Sequence, residues 1–289
     1  MLAVFKREFR SYFTNMTGYL LIGVLFLFCG IFTTAINLVS GYASFEYVLS
    51  QEETVIMFLI PILCMKSIAE DRRSRTDQLL YSLPVSTTKI VLGKYLSLVA
   101  IFGIACLGLG VVPFILKSFG PESVSLSTAY ASLFGFFLLG AALIAVCMFF
   151  SGLTESQVIA AVLGLAASLA FYLMDAIQYL LPTSANGSFV GFLIVALLCG
   201  LLLYFLTKNY LVGLGTAVVL FIPLLIVRLA AAEKLEGLFP KVLGYLAIFN
   251  RFSSMTGGIF DLTAVVYFLS VAAFFVFLSV QSMEKRRWN

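Results

Sequence analysis

Between Thr128 and Phe150 the chain carries no Asp, Glu, Lys or Arg. The stretches Gly18–Val39, Thr54–Ile68, Ile90–Leu116, Gln157–Leu181, Phe189–Leu206, Leu211–Leu229 and Leu262–Ser282 are almost as free of charge. A helix needs about 20 predominantly apolar residues to cross a bilayer, and most of these runs reach that length. Across the whole chain 62% of residues are apolar and 11% are charged. A soluble domain carries about 25% charged residues. A chain with this balance cannot cover a water-facing surface, so the sequence predicts an all-α polytopic membrane protein with about eight transmembrane helices. No internal repeat, low-complexity linker or soluble domain interrupts it, and residues 1–289 read as one membrane domain.

The segments between the apolar runs set the organisation. Residues 2–13 place Leu2, Phe5, Phe9, Tyr12 and Phe13 at helical spacing, with Lys6, Arg7 and Arg10 between them. That pattern predicts an amphipathic helix lying among lipid headgroups, its basic residues toward anionic lipid. Thr14 to Gly18 supplies a break before the first span. A polar loop with Glu46, Gln51, Glu52 and Glu53 precedes the second span, which contains Pro61. The segment 230–261 is too polar and broken to span, yet too apolar for a solvated loop. A short helix re-entering the outer leaflet and a helix packed on the outer surface both fit it.

Charge sets the orientation. Lys6, Arg7, Arg10, Lys66, Arg72, Arg73, Arg75, Lys89, Lys94, Lys208, Lys285, Arg286 and Arg287, thirteen of the 18 basic residues, fall on the side that holds both termini. Cytoplasmic loops carry the Lys and Arg excess, so both termini and the loop 66–94 read as cytoplasmic.

Catalytic and ligand motifs are absent. The sequence has no histidine and no GxxxxGK[ST], GxSxG or HExxH pattern, and its five cysteines lack CxxC spacing and fall inside apolar runs. No cofactor or metal is expected, the cysteines read as small buried hydrophobes, and the basic residues beside membrane spans do not indicate nucleic-acid binding. Asp175 and Arg228 are the candidates for intramembrane charge. Asp175 follows Gln157 by about 27 Å of helix, and Arg228 ends its span, so both read as interfacial.

The stretch KSIAEDRRSRTDQLLYSLPVSTTKIVLGK, residues 66–94, holds one third of all Lys and Arg. Leu79, Leu80 and Leu83 share a helical face that Pro84 ends, and Ser86 can cap the helix that follows. A stub of this kind can seat in a partner's groove and act as a lever on the second and third spans; a solvated basic loop is the plainer alternative.

Glu70–Lys94 resembles the coupling region of type-2 (ABC-2) exporter permeases, whose pattern is roughly E-E-R-R-x-G-T-x-E-L-L-L-x-x-P-V followed by a run ending L-G-K. Glu70, Arg72, Arg73, Thr76, Leu79, Leu80, Pro84, Val85, Leu92, Gly93 and Lys94 match it, while Arg75 stands where glycine is usual and Gln78 where glutamate is usual. The N-terminal FKREFRSYF is similar to that family's interfacial connecting helix, and the C-terminal FDLTAVVYFLSVAAFFVFLSVQSMEKRRW to gliding-motility-associated permeases. The resemblance implies a non-catalytic permease subunit in a bacterial inner membrane. It implies two separate ATP-binding cassette ATPase subunits below, a second permease subunit as homo- or heterodimer, and an auxiliary membrane protein. The residues implied in ATPase coupling are Glu70, Arg72, Arg73, Thr76, Gln78, Leu79, Leu80, Leu83 and Pro84. The family usually has six spans, so eight imply an added pair within 157–229. A secondary transporter or channel working without ATP is the alternative.

The orientation is testable. Single cysteines at Ser74 and Asn289 are expected to be shielded from impermeant maleimide in intact cells, and one at Ser123 to react. Labelling at Ser74 from outside overturns the orientation.

Overall fold

The computed structural model describes every residue except 43, 77–84, 120–124, 208–209, 231–234, 259 and 289. The described residues form helices joined by turns, without a strand. An apolar chain in lipid must satisfy its backbone hydrogen bonds within each segment, and the helix does so. Among the described residues six helices are long and apolar enough to cross a membrane: Thr17–Val39, Phe45–Arg73, Thr87–Ser118, Leu126–Ser151, Gln157–Leu180 and Leu262–Arg286. The chain forms two compact units, Met1–Ala170 with Ile248–Asn289, and Phe171–Ala247.

The first unit begins with α1 (Leu2–Thr14). Met16 takes a left-handed backbone at φ 60°, and α2 (Thr17–Phe32) starts behind it, so the break anticipated at Thr14–Gly18 is present. α2 continues into a π-helical segment, Thr33–Val39. There the Asn37 side-chain amide donates to the carbonyls of Tyr42 (2.6 Å) and Ser44 (3.2 Å) and closes the turn into the next helix.

That helix, α3 (Phe45–Cys64), corrects the sequence reading. Glu46, Gln51, Glu52 and Glu53 are helical, not a loop. Phe45, Val48, Leu49, Glu52 and Ile56 are buried at positions i, i+3, i+4, i+7 and i+11. The apolar stripe therefore runs straight through the polar cluster and holds the helix. Pro61 lies inside α3 without ending it. After a short turn comes α4 (Ala69–Arg73). The third span is α5 (Thr87–Leu109), followed after a brief break by α6 (Val112–Phe119).

α7 (Leu126–Ser151) is the centre of this unit. In its most apolar stretch 78% of residues are buried, against 17% for Thr17–Val39 and for Gln157–Leu180. A helix that is apolar all round belongs in the interior, whereas the other two leave most of their apolar surface uncovered, as a helix suited to lipid does. α7 packs against α3, α5, α12 (Ile248–Thr256) and α13 (Leu262–Trp288). Small residues make the close approach possible. Gly140 leaves room for the ring of Phe102, which is fully buried between Phe136 and Phe137. On α12, Ile248, Phe249, Phe252 and Met255 are buried. The Ser132 hydroxyl donates to the carbonyl of Met255 at 3.0 Å. Asp261 caps α13 by accepting the Thr263 N–H at 2.8 Å, and that bonding lowers its carboxyl from the ordinary value. Cys29, Cys64, Cys106 and Cys147 are buried and unbridged, as expected of small hydrophobes.

α8 (Gln157–Leu180) begins in the first unit and ends in the second. The second unit contains the helical pair α9 (Ala185–Thr207) and α10 (Tyr210–Ala230), followed by α11 (Leu238–Leu246). α9 and α10 pack along each other, with Phe189 and Phe221 in edge contact at 6.2 Å. α11 lays Phe239 over Gly191 and against Phe192. Arg228 does not simply reach outward: its guanidinium donates to Asn186 Oδ1 at 3.1 Å and lies 4.3 Å from the Phe189 ring. Asp175 accepts from the Gln178 side chain at 2.5 Å. The described residues of the region 230–261 thus include two nine-residue helices, α11 and α12.

Because Phe102 is enclosed, Gly140→Ala overpacks the α5–α7 contact. The variant is expected to lose about 1–3 kcal/mol of stability, read as a lower melting temperature by size-exclusion chromatography in detergent. An unchanged melting temperature contradicts this packing.

Candidate functional site

Lys94 stands one residue after Gly93 on α5 and is 2% exposed. An ammonium out of water costs several kcal/mol unless charge and hydrogen bonds replace its hydration. Three elements supply them. The Nζ donates to Glu8 Oε1 on α1 at 3.0 Å and to the carbonyl oxygen of Ser67 at 2.7 Å. It pairs with Asp71 Oδ2 on α4 at 2.7 Å. Gly93 makes the arrangement possible, since a Cβ there would meet the Met1 carbonyl and the Val4 side chain at 3.1 Å. The Gly-Lys pair therefore has two jobs: glycine admits α1, and lysine bonds it.

Each acidic partner is held in turn. Glu8 Oε1 also pairs with Arg7 Nη2 at 2.6 Å. Asp71 Oδ1 accepts the Thr76 hydroxyl at 3.0 Å. The Ser74 hydroxyl donates to the carbonyl of Glu70 at 2.8 Å and lies 3.0 Å from that of Thr76. Arg75, where the resemblance places glycine, has φ 55°, in the left-handed region. A residue without Cβ meets that turn without strain. Glycine is favoured there because the chain must turn back to bring Thr76 onto Asp71.

α7 anchors the same face. The Ser151 hydroxyl accepts the N–H groups of Ile68 and Ala69, both at 3.2 Å, and donates to the Met65 carbonyl at 3.3 Å. It thereby satisfies the backbone where the second span breaks into α4. Glu155 pairs with Arg286 at 2.5 Å, and Ser282 donates to the Gly152 carbonyl at 3.5 Å, which ties the end of α13 to the turn after α7.

On α1, Phe5, Phe9 and Phe13 form a ladder with ring centroids 5.8 and 5.0 Å apart, and Phe13 meets Tyr19 at 5.1 Å. Tyr12 is buried, and that burial pushes its phenol well above the ordinary range. Lys6, Arg7 and Arg10 are exposed along an open groove of about 570 Å³, shared with Ala3, Ser11, Thr14 and Asn15.

The residues singled out by sequence therefore part company. Glu70 and Arg73 are exposed, whereas Arg72 is buried and Thr76 is half-buried against Asp71. Gln78, Leu79, Leu80, Leu83 and Pro84 lie outside the described residues. Glu8, Ser67, Asp71 and Ser151 escaped the sequence reading. Glu8 alone had a local signal: with Phe5 and Tyr12 it falls at i, i+3 and i+7, a carboxylate on the inward face of a basic helix. Among the described residues no group of three or more His, Cys, Asp or Glu could hold a metal ion. The arrangement is a charged joint linking α1, α4 and α5.

Residues 16–211 match the model of a family described as ABC-2 family transporter protein. No curated protein and no solved structure matches the chain.

Replacing Arg75 with glycine keeps the left-handed turn and removes the steric cost of roughly 1–2 kcal/mol that a side-chain-bearing residue carries there. Arg75→Gly is therefore expected to raise the melting temperature of the detergent-purified protein. A lower melting temperature contradicts the assignment of strain to this turn.

Proposed function

The chain belongs to the ABC-2 family of transporter proteins, and on that premise we propose that it is the permease subunit of an ATP-driven exporter. ATP is hydrolysed by a separate cassette ATPase, and this subunit forms the translocation pathway without chemistry of its own. The observation that carries the reading is the Lys94 joint. Any force on α4 reaches Asp71, and through Lys94 it reaches both α5 and α1. That is what a transmission point between an ATPase and membrane helices requires.

In this reading residues 77–84 form the stub that seats in the ATPase, with Leu79, Leu80 and Leu83 as its apolar face and Pro84 as its stop. Exposed Glu70 and Arg73 flank it. Gln78 and Arg72 belong to the same contact region. α1 is the interfacial connecting helix, with Lys6, Arg7 and Arg10 toward anionic headgroups. Both termini are cytoplasmic, and the membrane is a bacterial inner membrane. α9 and α10 add a pair of spans to the six-helix core, making eight in one permease domain, and 230–261 is the extracytoplasmic re-entrant segment. The working assembly has two permease subunits, identical or not, two ATPase subunits and, as in the gliding-motility branch, an auxiliary membrane protein.

A second reading, an ion-coupled carrier working without ATP, is favoured by one observation: Glu52 is buried inside a span.

The two readings separate at the stub. Cutting Leu79 and Leu80 to alanine is expected to cost about 1.5–3 kcal/mol per side chain buried in a partner's groove. Co-purification of the ATPase should fall and substrate-stimulated hydrolysis should be lost, with insertion and dimerisation normal. A double-alanine variant that retains its ATPase and its coupled hydrolysis shows that the partner docks elsewhere.

A further inference from the structure

Outside the Lys94 joint, Glu52 is a buried ionisable group that nothing in the proposed export mechanism uses. Its side chain is 0% exposed, and neither carboxyl oxygen has a hydrogen-bond partner. It lies seven residues into α3, about 10 Å along the helix from the end that holds Phe45. Val48, Leu49 and Ile56 are buried on the same face. α3 packs against α2, the π-helical segment after it, α7 and α12.

Among the described residues no cation is bonded to the Glu52 carboxyl. The titratable or charged residues on the packed elements are Tyr19 and Cys29 on α2, Tyr130 and Cys147 on α7, and Arg251 on α12. The π-helical segment has none. Cys29 and, on α5, Cys106 lie within electrostatic reach of Glu52. On α3 itself stand Glu46, Tyr47, Glu53 and Cys64. The Arg251 guanidinium is directed at the Tyr267 ring, 5.7 Å away. None of these forms a hydrogen bond or ion pair with Glu52.

A carboxylate enclosed without a cation or donor is far costlier than the neutral acid. In this conformation hydrated ions cannot reach a side chain with no exposure, and a proton is the cation that needs no cavity. An orphaned acidic residue inside a span is by default a functional group, because an apolar residue of similar size would pack there at lower cost. We propose that Glu52 is an intramembrane proton-binding site, occupied in this conformation. Movement of α3 against α2 that admits water lets the acid transfer its proton to water, leaving the carboxylate and a hydronium ion. The inference stands apart from the ATPase reading and adds to it a step sensitive to protons.

A lipid-soluble carbodiimide, N,N′-dicyclohexylcarbodiimide, enters from the bilayer when α3 moves against α2, and it tests the proposal on the full chain in lipid nanodiscs. A protonated carboxyl gives its proton to one carbodiimide nitrogen while its oxygen bonds the central carbon. Acyl migration to nitrogen then leaves a stable N-acylurea. Peptide mapping of the wild-type protein at neutral pH is expected to place the adduct on Glu52, and a water-soluble carbodiimide is expected to leave Glu52 unmodified. Glu52→Gln should lose that adduct, while Glu46→Gln and Glu53→Gln keep it. Infrared difference spectra between wild type and Glu52→Gln should show loss of one protonated-carboxyl carbonyl band. An adduct on Glu46 or Glu53 in place of Glu52, or no carbonyl band lost on substitution, overturns the proposal. Mapping the wild-type adduct keeps the test valid if the glutamine variant does not fold. The assay needs no ATPase, so its failure leaves the stub experiment untouched, and the reverse also holds.

Discussion

A buried ammonium must be surrounded before it can be afforded, and much of the first unit is arranged around that requirement. Lys94 draws one carboxylate from α1, one from α4 and a carbonyl from the turn between α3 and α4. Removing one member of such a set costs more than forming the set contributes, because the remaining charges stay buried without compensation. The network is thus weak evidence for stability and strong evidence for fixed geometry. It defines where α1 meets the bundle, where the second span ends and how α4 departs. Thr76, Arg75 and Ser151 then make sense as supports: one orients Asp71, one turns the chain toward it, and one satisfies the backbone at the break.

The rest of the unit supplies something rigid for that joint to act on. α7 is enclosed by its neighbours, with Gly140 leaving room for the Phe102 ring and Gly135 for the Met255 side chain. Its last residue, Ser151, belongs to the charged face as well. A displacement at α4 is therefore felt by the central helix as well as by α5 and α1. The second unit follows its own logic, a helical pair with α11 laid on it by Phe239 and with Arg228 held by Asn186 and Phe189.

Much of this was legible in the sequence, for physical reasons that differ by element. Apolar runs of bilayer length announce helices whatever their partners, which is why Leu126–Ser151 and Gln157–Leu180 appear nearly where they were expected. The amphipathic α1 and the break at Met16 were equally plain. The start of α3 was not, because Glu46, Gln51, Glu52 and Glu53 resemble a loop in composition; only the buried residues at helical spacing reveal that they continue a helix. The intramembrane charges suggested by composition, Asp175 and Arg228, both found local polar partners. The buried ones, Glu52 and Lys94, hid in a cluster of acids and a basic loop. Glu8 and Asp71 could not be matched to Lys94 from one sequence, since the contact with Glu8 spans 86 residues. Thr76 of the R-R-x-G-T piece and Lys94 of the L-G-K piece meet on one carboxylate, Asp71.

The central claim is that Lys94 locks α1, α4 and α5 together through charge. The direct measurement is a comparison of thermal stability between Lys94→Met and the triple variant Glu8→Gln, Asp71→Asn, Lys94→Met, in one detergent. The account predicts that the single substitution costs about 3 kcal/mol, because it takes the shared cation from two largely buried carboxylates, and that neutralising them restores most of the loss. A single variant as stable as the wild type, or a triple variant no better than the single one, would contradict it.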